Sequence, residues 1–193
     1  MNVTHCPKQL KILLVGEGGQ GIQSIAEILS KSAFDGGYHA TYMPNFGTEQ
    51  RGGISLSFIQ ISCDKIITPK FNKADIYVIL SRRDISRTLR YIGKNTHVIY
   101  DKTIVDDATL KQIQKYSSNT FPVEAFKIAT EKLTERSLNI IILGALVGIV
   151  DKELIKTVQQ NMEEKFKKYY EKKPDLKETN ENAFQIGLKL TMK

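Results

Sequence analysis

Tryptophan is absent from this 193-residue chain, which holds only two cysteines and three histidines. Cys6 and Cys63 stand far apart in no C-x-x-C spacing, and His5, His39 and His97 are scattered. A self-contained iron–sulfur cluster or structural zinc site wants about four ligands. The pattern therefore excludes both, and the chain reads as a cytoplasmic protein with reduced thiols and no metal of its own. Long hydrophobic runs are also missing, since nothing approaches the roughly 20 apolar residues of a membrane-spanning helix. The longest candidate, LNIIILGALVGIV at 138–150, reads as a helix buried in the core. At the N-terminus, MNVTHCPKQLKILLVG has a short apolar run that leads into a glycine turn, which is no signal-peptide core.

What charge there is lies unevenly. The net charge is +7, and residues 65–94 hold eight Lys and Arg against Asp75 and Asp84, so that stretch carries six of the seven. Residues 151–178 look lysine-rich but are nearly balanced by acids. A local basic stripe points to an acidic ligand or partner surface rather than to nucleic acid. Within it, DISRTLRYI fits a helix capped by Asp84, and Arg83, Arg87 and Arg90 would share one of its faces. The plain reading of such a face is solvation.

An apolar fraction of 41% and a charged fraction of 25% are ordinary for a globular chain, and the length suits a single domain, 1–193. KILLV at 11–15 reads as a strand buried on both faces, followed by a glycine turn and a helix from Ile22 that stops at Gly36 and Gly37. YHATYM at 38–43 reads as the second strand, completing a βαβ unit. ISLSFIQI at 54–61 alternates as a strand should, and KII at 65–67 is its candidate antiparallel neighbour. ADIYVILS at 74–81 and HVIYD at 97–101 read as further buried strands. FPVEAFKIATEKL at 121–133 runs from a strand end into a helix, and helices follow at 138–150, 152–170 and near 180–190. The expected fold is α/β: a three-layer α/β/α domain with a mostly parallel, mixed central sheet and a Rossmann-like N-terminal βαβ.

The turn GEGGQG at 16–21 spells G-x-G-x-x-G between strand and helix. Such glycines permit a tight bend and close approach of phosphate to a helix N-terminus. A nicotinamide or flavin site also wants an acid at the end of the second strand, to hold the ribose hydroxyls. Here that strand ends in Tyr42, Met43, Pro44 and Asn45, with no carboxylate, and Gly21 is not followed by the Lys-Ser/Thr of a P-loop. Two readings stay open beside the weakened dinucleotide site: glycines that only pack the helix on the sheet, and a turn that meets a partner or an anion.

The loop NFGTEQRGG at 45–53 is less common. Arg51 offers a planar charged fork beside the bare backbone of Gly52 and Gly53, although an internal pair with Glu49 would account for it equally well. Taken in order, GEGGQGI (16–22), NFGTEQRGG with ISLSFIQIS, ITP (67–69) with FNKADIYVIL, NIIILGALVG (139–148) and NAFQIG (182–187) cover nearly the whole chain. This series resembles the gamma subunit or gamma domain of 2-oxoacid:ferredoxin oxidoreductases. The family loop is closer to SYGPEQRGG, so Asn45, Phe46 and Thr48 depart from it while the EQRGG core remains.

The resemblance implies one component of an enzyme that decarboxylates a 2-oxoacid on thiamine pyrophosphate, reduces ferredoxin through iron–sulfur clusters and releases an acyl-CoA. Thiamine, Mg and the clusters would belong to partner subunits, with CoA as co-substrate. Candidate partners are the alpha, beta and delta subunits, and a homodimer is a candidate state of the isolated chain. Carried over residue by residue, Gly16, Gly18, Gly19, Gln20, Gly21, Gly47, Glu49, Gln50, Arg51, Gly52 and Gly53 would form a functional edge that faces the active site. No residue of this chain is assigned a catalytic role. The loop is slightly closer to the 2-oxoglutarate type than to the indolepyruvate type. A stand-alone Rossmann-like nucleotide-binding protein and a scaffold without catalytic context are the alternatives.

Overall fold

The computed structural model describes residues 9–46, 53–81, 83 and 85–191. β1 (Leu10–Glu17) forms the middle of a six-stranded sheet, and Ile12, Leu13, Leu14 and Val15 are fully buried, as expected of a continuous apolar run. Its neighbours are β3 (Ile54–Ser62), antiparallel, and β4 (Ile76–Ile79), parallel. β5 (His97–Asp101) and β6 (Thr120–Val123) continue the parallel half, and β2 (His39–Phe46) closes the other edge, giving the order β2-β3-β1-β4-β5-β6. The sheet is mixed, as the sequence predicts.

The opening βαβ differs from its expected form. β1 and β2 are parallel but do not touch, because β3 is inserted between them and pairs antiparallel with both. Both edges of β3 are thereby occupied, which leaves no ladder for residues 65–67; these form no strand. β2 extends through Pro44, which an edge strand tolerates because one side of its backbone needs no partner.

Helices cover the two faces unequally. Ile12, Leu14, Ile59, Ile61, Ile76, Val78 and Ile99 face α1 (Ile22–Asp35), α3 (Ala125–Lys132), α4 (Leu138–Val150), α5 (Ile155–Lys172) and α6 (Asp175–Thr191). On the other face, Leu13, Val15, Phe58, Tyr77, Ile79 and Val98 lie under α2 (Asp107–Gln114), Phe71 and two 3-10 turns. α2 is absent from the sequence reading, although Asp106 caps it by accepting from the Thr109 amide at 2.8 Å. α6 begins directly after Pro174 rather than near residue 180.

The expected helix over DISRTLRYI is replaced by 3-10 turns at Ile85–Arg87 and Leu89–Tyr91. Thr88 is fastened here: its hydroxyl donates to the Ile85 carbonyl at 2.9 Å and meets the Tyr77 hydroxyl at 2.6 Å. Such side-chain bonds compete with an α-helical ladder. Arg83, Arg87 and Arg90 therefore share no α-helical face, and Arg90 instead stacks over the Tyr91 ring with its guanidinium 4.9 Å from the centroid. Cys63, just after β3, is disulfide-bonded, against the expectation of reduced thiols; Cys6 lies outside the described residues.

α4 is apolar almost all round because it is sandwiched between layers. Gly144 lets it approach α6 closely, with Gly187 as its counterpart. A Cβ on Gly144 would come within 2.2 Å of the Phe184 carbonyl oxygen, and one on Gly187 within 2.0 Å of that of Ile141.

Past α1 the chain is tied to the start of the C-terminal helices by Tyr38, whose hydroxyl donates to Asp151 at 2.7 Å. That bond, burial and the Asp151 charge push the phenol up to about 12. The proton is held more tightly in the folded state, so the stabilisation is fully present below pH ~10 and is lost as pH climbs toward 12. We expect Tyr38→Phe to cost about 1 kcal/mol at pH 8. The gap from wild type should narrow at pH 11 in urea titrations, and a gap independent of pH would contradict this linkage.

Candidate functional site

The parallel strands β1, β4, β5 and β6 all run out on one side of the sheet. Because β3 is antiparallel to β1, it enters on that same side, and β2 ends there. Both glycine segments thus leave the sheet at one edge. Gly16 pairs with Ser55 and Glu17 with Ile54, and the Gly18 amide donates to the Gly53 carbonyl at 3.3 Å. Gly16, Gly18, Gly19, Gln20, Gly21 and Gly53 are placed at this edge. Gly47, Glu49, Gln50, Arg51 and Gly52 lie outside the described residues.

Within the turn, the glycines have separate reasons. Gly19 and Gly21 adopt φ of +100° and +75°, the left-handed region that side chains disfavour. Gly21 is also tight against α4, since a Cβ there would stand 2.4 Å from Asn139 Nδ2. Gly18 meets neither demand: its φ is ordinary, and among the described residues no atom lies within 4 Å of a notional Cβ.

Gln20 acts as a clip. Its Oε1 accepts from the Glu17 amide at 2.8 Å, and its Nε2 donates to the Leu80 carbonyl at 2.9 Å, joining the turn to the end of β4. Beside it the Glu17 carboxylate accepts from the Ser81 hydroxyl at 2.5 Å and lies 4.0 Å from the Arg83 guanidinium. α1 follows Gly21 without a side-chain cap or an acid in its first turn, and its positive end lies at this edge.

This edge is poorly arranged for a dinucleotide. A ribose-holding acid belongs on a parallel strand next to β1, at its C-terminal end. The strand beside β1 there is β3, which presents its N-terminal end instead, and β2 stands two strand spacings, about 10 Å, from β1. The missing carboxylate after Met43 and the inserted strand lead to the same conclusion.

Three site features are not foreseen from the sequence. Glu17 with Ser81 is one. Asn139 is another: its Oδ1 is buried without a hydrogen-bond partner among the described residues. The third is Gln23, in the first turn of α1. Its Oε1 accepts from the hydroxyls of Tyr42 (2.5 Å) and Ser57 (2.8 Å), and its Nε2 donates to Ser55 Oγ (2.7 Å) and the Leu56 carbonyl (3.3 Å).

Among the described residues no three His, Cys, Asp or Glu side chains converge as metal ligands, and no helix is long and apolar enough to cross a membrane.

Comparison with known proteins gives a consistent result. The family model described as pyruvate ferredoxin/flavodoxin oxidoreductase matches residues 11–190. The 2-oxoglutarate synthase subunit KorC of Methanocaldococcus jannaschii is 31% identical over 186 residues, covering 89% of this chain and 97% of that protein. The ketoisovalerate oxidoreductase subunit VorA of Methanothermobacter marburgensis is 27% identical over 142 residues, which cover 74% of this chain but only 29% of its own length. This chain therefore spans less than a third of some relatives and nearly all of others. Among solved structures, 2-oxoglutarate:ferredoxin oxidoreductase from Magnetococcus marinus, with 2-oxoglutarate, coenzyme A and succinyl-CoA bound, shares the fold. Its TM-score is 0.83 at 23% identity, over 96% of this chain and 31% of that one. The gamma subunit of a keto/oxoacid ferredoxin oxidoreductase from Geobacter sulfurreducens aligns at TM-score 0.71 and 19% identity over 98% of its length.

Proposed function

Since the chain belongs to the pyruvate ferredoxin/flavodoxin oxidoreductase family, whose model spans residues 11–190, we propose that it is the gamma subunit of a 2-oxoacid:ferredoxin oxidoreductase. The complex would convert a 2-oxoacid, CoA and oxidised ferredoxin to acyl-CoA, CO2 and reduced ferredoxin in the cytoplasm. The observation that carries the reading is the shared edge, where Gly18 and Gly53 bring the GEGGQG turn against the root of the EQRGG loop. A unit that occurs alone, as in KorC, and inside longer chains, as in VorA, is one that works beside a constant partner.

The donor set supports a division of labour. Two cysteines are too few for a cluster of its own, and thiamine and the clusters would fall to alpha, beta and delta partners. This chain's own part is to shape the acceptor side of the active site. The open α1 terminus supplies positive potential for an anionic group of CoA, Gln20 holds the turn to β4, and Arg51 adds a fixed charge. No catalytic residue is assigned to the chain.

The chain purified alone should oxidise no 2-oxoacid, and purified from native cells it should bring thiamine- and cluster-binding subunits with it. Within that complex, Arg51→Ala should lower kcat/KM for CoA about tenfold or more. Calorimetric binding of NAD or FAD to the isolated chain, with no co-purifying subunits, would instead support the nucleotide-binding alternative.

A further inference from the structure

We propose that Gln23 is a positioning residue, which sets the GEGGQG turn against the β2–β3 strand ends and thereby fixes the acceptor edge of the complex. The inference rests on the functional reading above and extends it to a residue outside both glycine segments.

The geometry carries it. An amide side chain has two acceptor lone pairs and two N–H donors. Gln23 uses all four, on Tyr42 in β2 and on Ser55, Leu56 and Ser57 in β3. These strands deliver and receive the segment that carries Arg51, while Gln23 itself is two residues from Gly21. One side chain thus ties the start of α1 to both flanks of the second loop. The serines are costly to leave without it: Ser55 and Ser57 are 4% and 0% exposed, facing α1 on a strand buried on both faces. Burial and the Glu27 charge push the Tyr42 phenol up, so it remains a neutral donor across the physiological range.

A purely apolar seam would hold α1 to the sheet just as firmly. Here the neighbouring positions are packed that way, through Ile22, Ile25 and Ile59. An apolar contact slides, whereas four directed hydrogen bonds select one translation and rotation of the helix start. The Gly18–Gly53 bond, 3.3 Å long, cannot do this alone.

The test uses the assembled complex, with Gln23→Leu as the variant. Gln23→Leu keeps the bulk but offers no hydrogen bonds. The KM for CoA in acyl-CoA formation should rise about tenfold or more, since small misplacements at a binding edge are amplified. The KM for the 2-oxoacid should move less than twofold, and the complex should elute unchanged in size. Should Gln23→Leu not assemble, Tyr42→Phe deletes one hydroxyl from the network, and it should raise the KM for CoA about threefold. An unmoved KM for CoA, or a fall in kcat with both KM values unchanged, overturns the positioning role. An inactive wild-type complex overturns the functional reading and this inference together; an active one with an insensitive Gln23 overturns this inference alone.

Discussion

Gly187→Ala is expected to be among the most destabilising single-atom additions in the chain. The new methyl would be placed 2.0 Å from the Ile141 carbonyl oxygen and 2.9 Å from the Ala145 amide nitrogen. Both are backbone atoms of α4, so no side-chain rotation can relieve the contact. α6 would have to retreat from α4 and loosen the packing of Phe184 and Leu188 against Ile141 and Leu146, all of them buried. Overpacking of a core costs about 1–3 kcal/mol, and a backbone collision belongs at the upper end. Alanine recovers up to about 1 kcal/mol through helix propensity. A net loss of about 2–3 kcal/mol should lower Tm by roughly 4–12 °C for a chain of this size. Gly18→Ala is the internal control, because its Cβ meets nothing within 4 Å among the described residues, and its melting temperature should stay close to wild type. Equal melting curves for the two variants would refute the backbone-contact account.

That contact also marks where sequence patterns stop being informative. The apolar run 138–150 declares a buried helix, but nothing local says that Gly144 packs against Gly187, 43 residues on. β3 illustrates the same limit. Its alternation of Ser and Gln with Ile, Leu and Phe reads as a strand. In the fold β3 is buried on both sides, and its polar positions are satisfied by distant groups. Gln60, 1% exposed, accepts from Gln9 and donates to the Thr68 carbonyl, both at 2.6 Å, while Ser55 and Ser57 meet Gln23. Period-two patterning reports which residues share a face, and it cannot tell water from a buried amide.

The strand order was hidden for a related reason. Hydrophobic patterning finds β1, β2 and β3 but carries no information on adjacency, and the insertion of β3 between its two predecessors depends on which edges are vacant. The G-x-G-x-x-G motif is local and was legible; the inserted strand that removes its dinucleotide geometry is not. By contrast, the ordered series of motifs along the chain identified the family, because it samples many positions and needs no three-dimensional partner. α2 is not legible in the pattern although Asp106 caps it, since eight residues give a helical period little room to declare itself.

Gln20→Glu separates the two tasks open to the residue in the middle of the turn. Gln20 lies in the glycine turn, where its side chain makes two hydrogen bonds. It spans from the Glu17 amide to the Leu80 carbonyl, holding the turn against β4. A glutamate keeps the length and can still accept from Glu17, but it has no N–H for Leu80. Its charge would also point at a carbonyl oxygen, beside the Glu17 carboxylate that Ser81 and Arg83 already engage. One lost hydrogen bond and an unpaired carbonyl cost about 1–3 kcal/mol, which the fold can absorb. The turn would swing away from β4 to separate the like charges, carrying Gly18 and Gly19 with it. A displacement near 1 Å at such an edge can cost on the order of 100-fold in rate. We therefore expect a complex that assembles, melts only a few degrees lower, and forms acyl-CoA about 10- to 100-fold more slowly. Gln20→Ala removes the clip without adding charge and should lose less. Equal activities for Gln20→Glu and wild type would mean that the turn packs a helix and does nothing more.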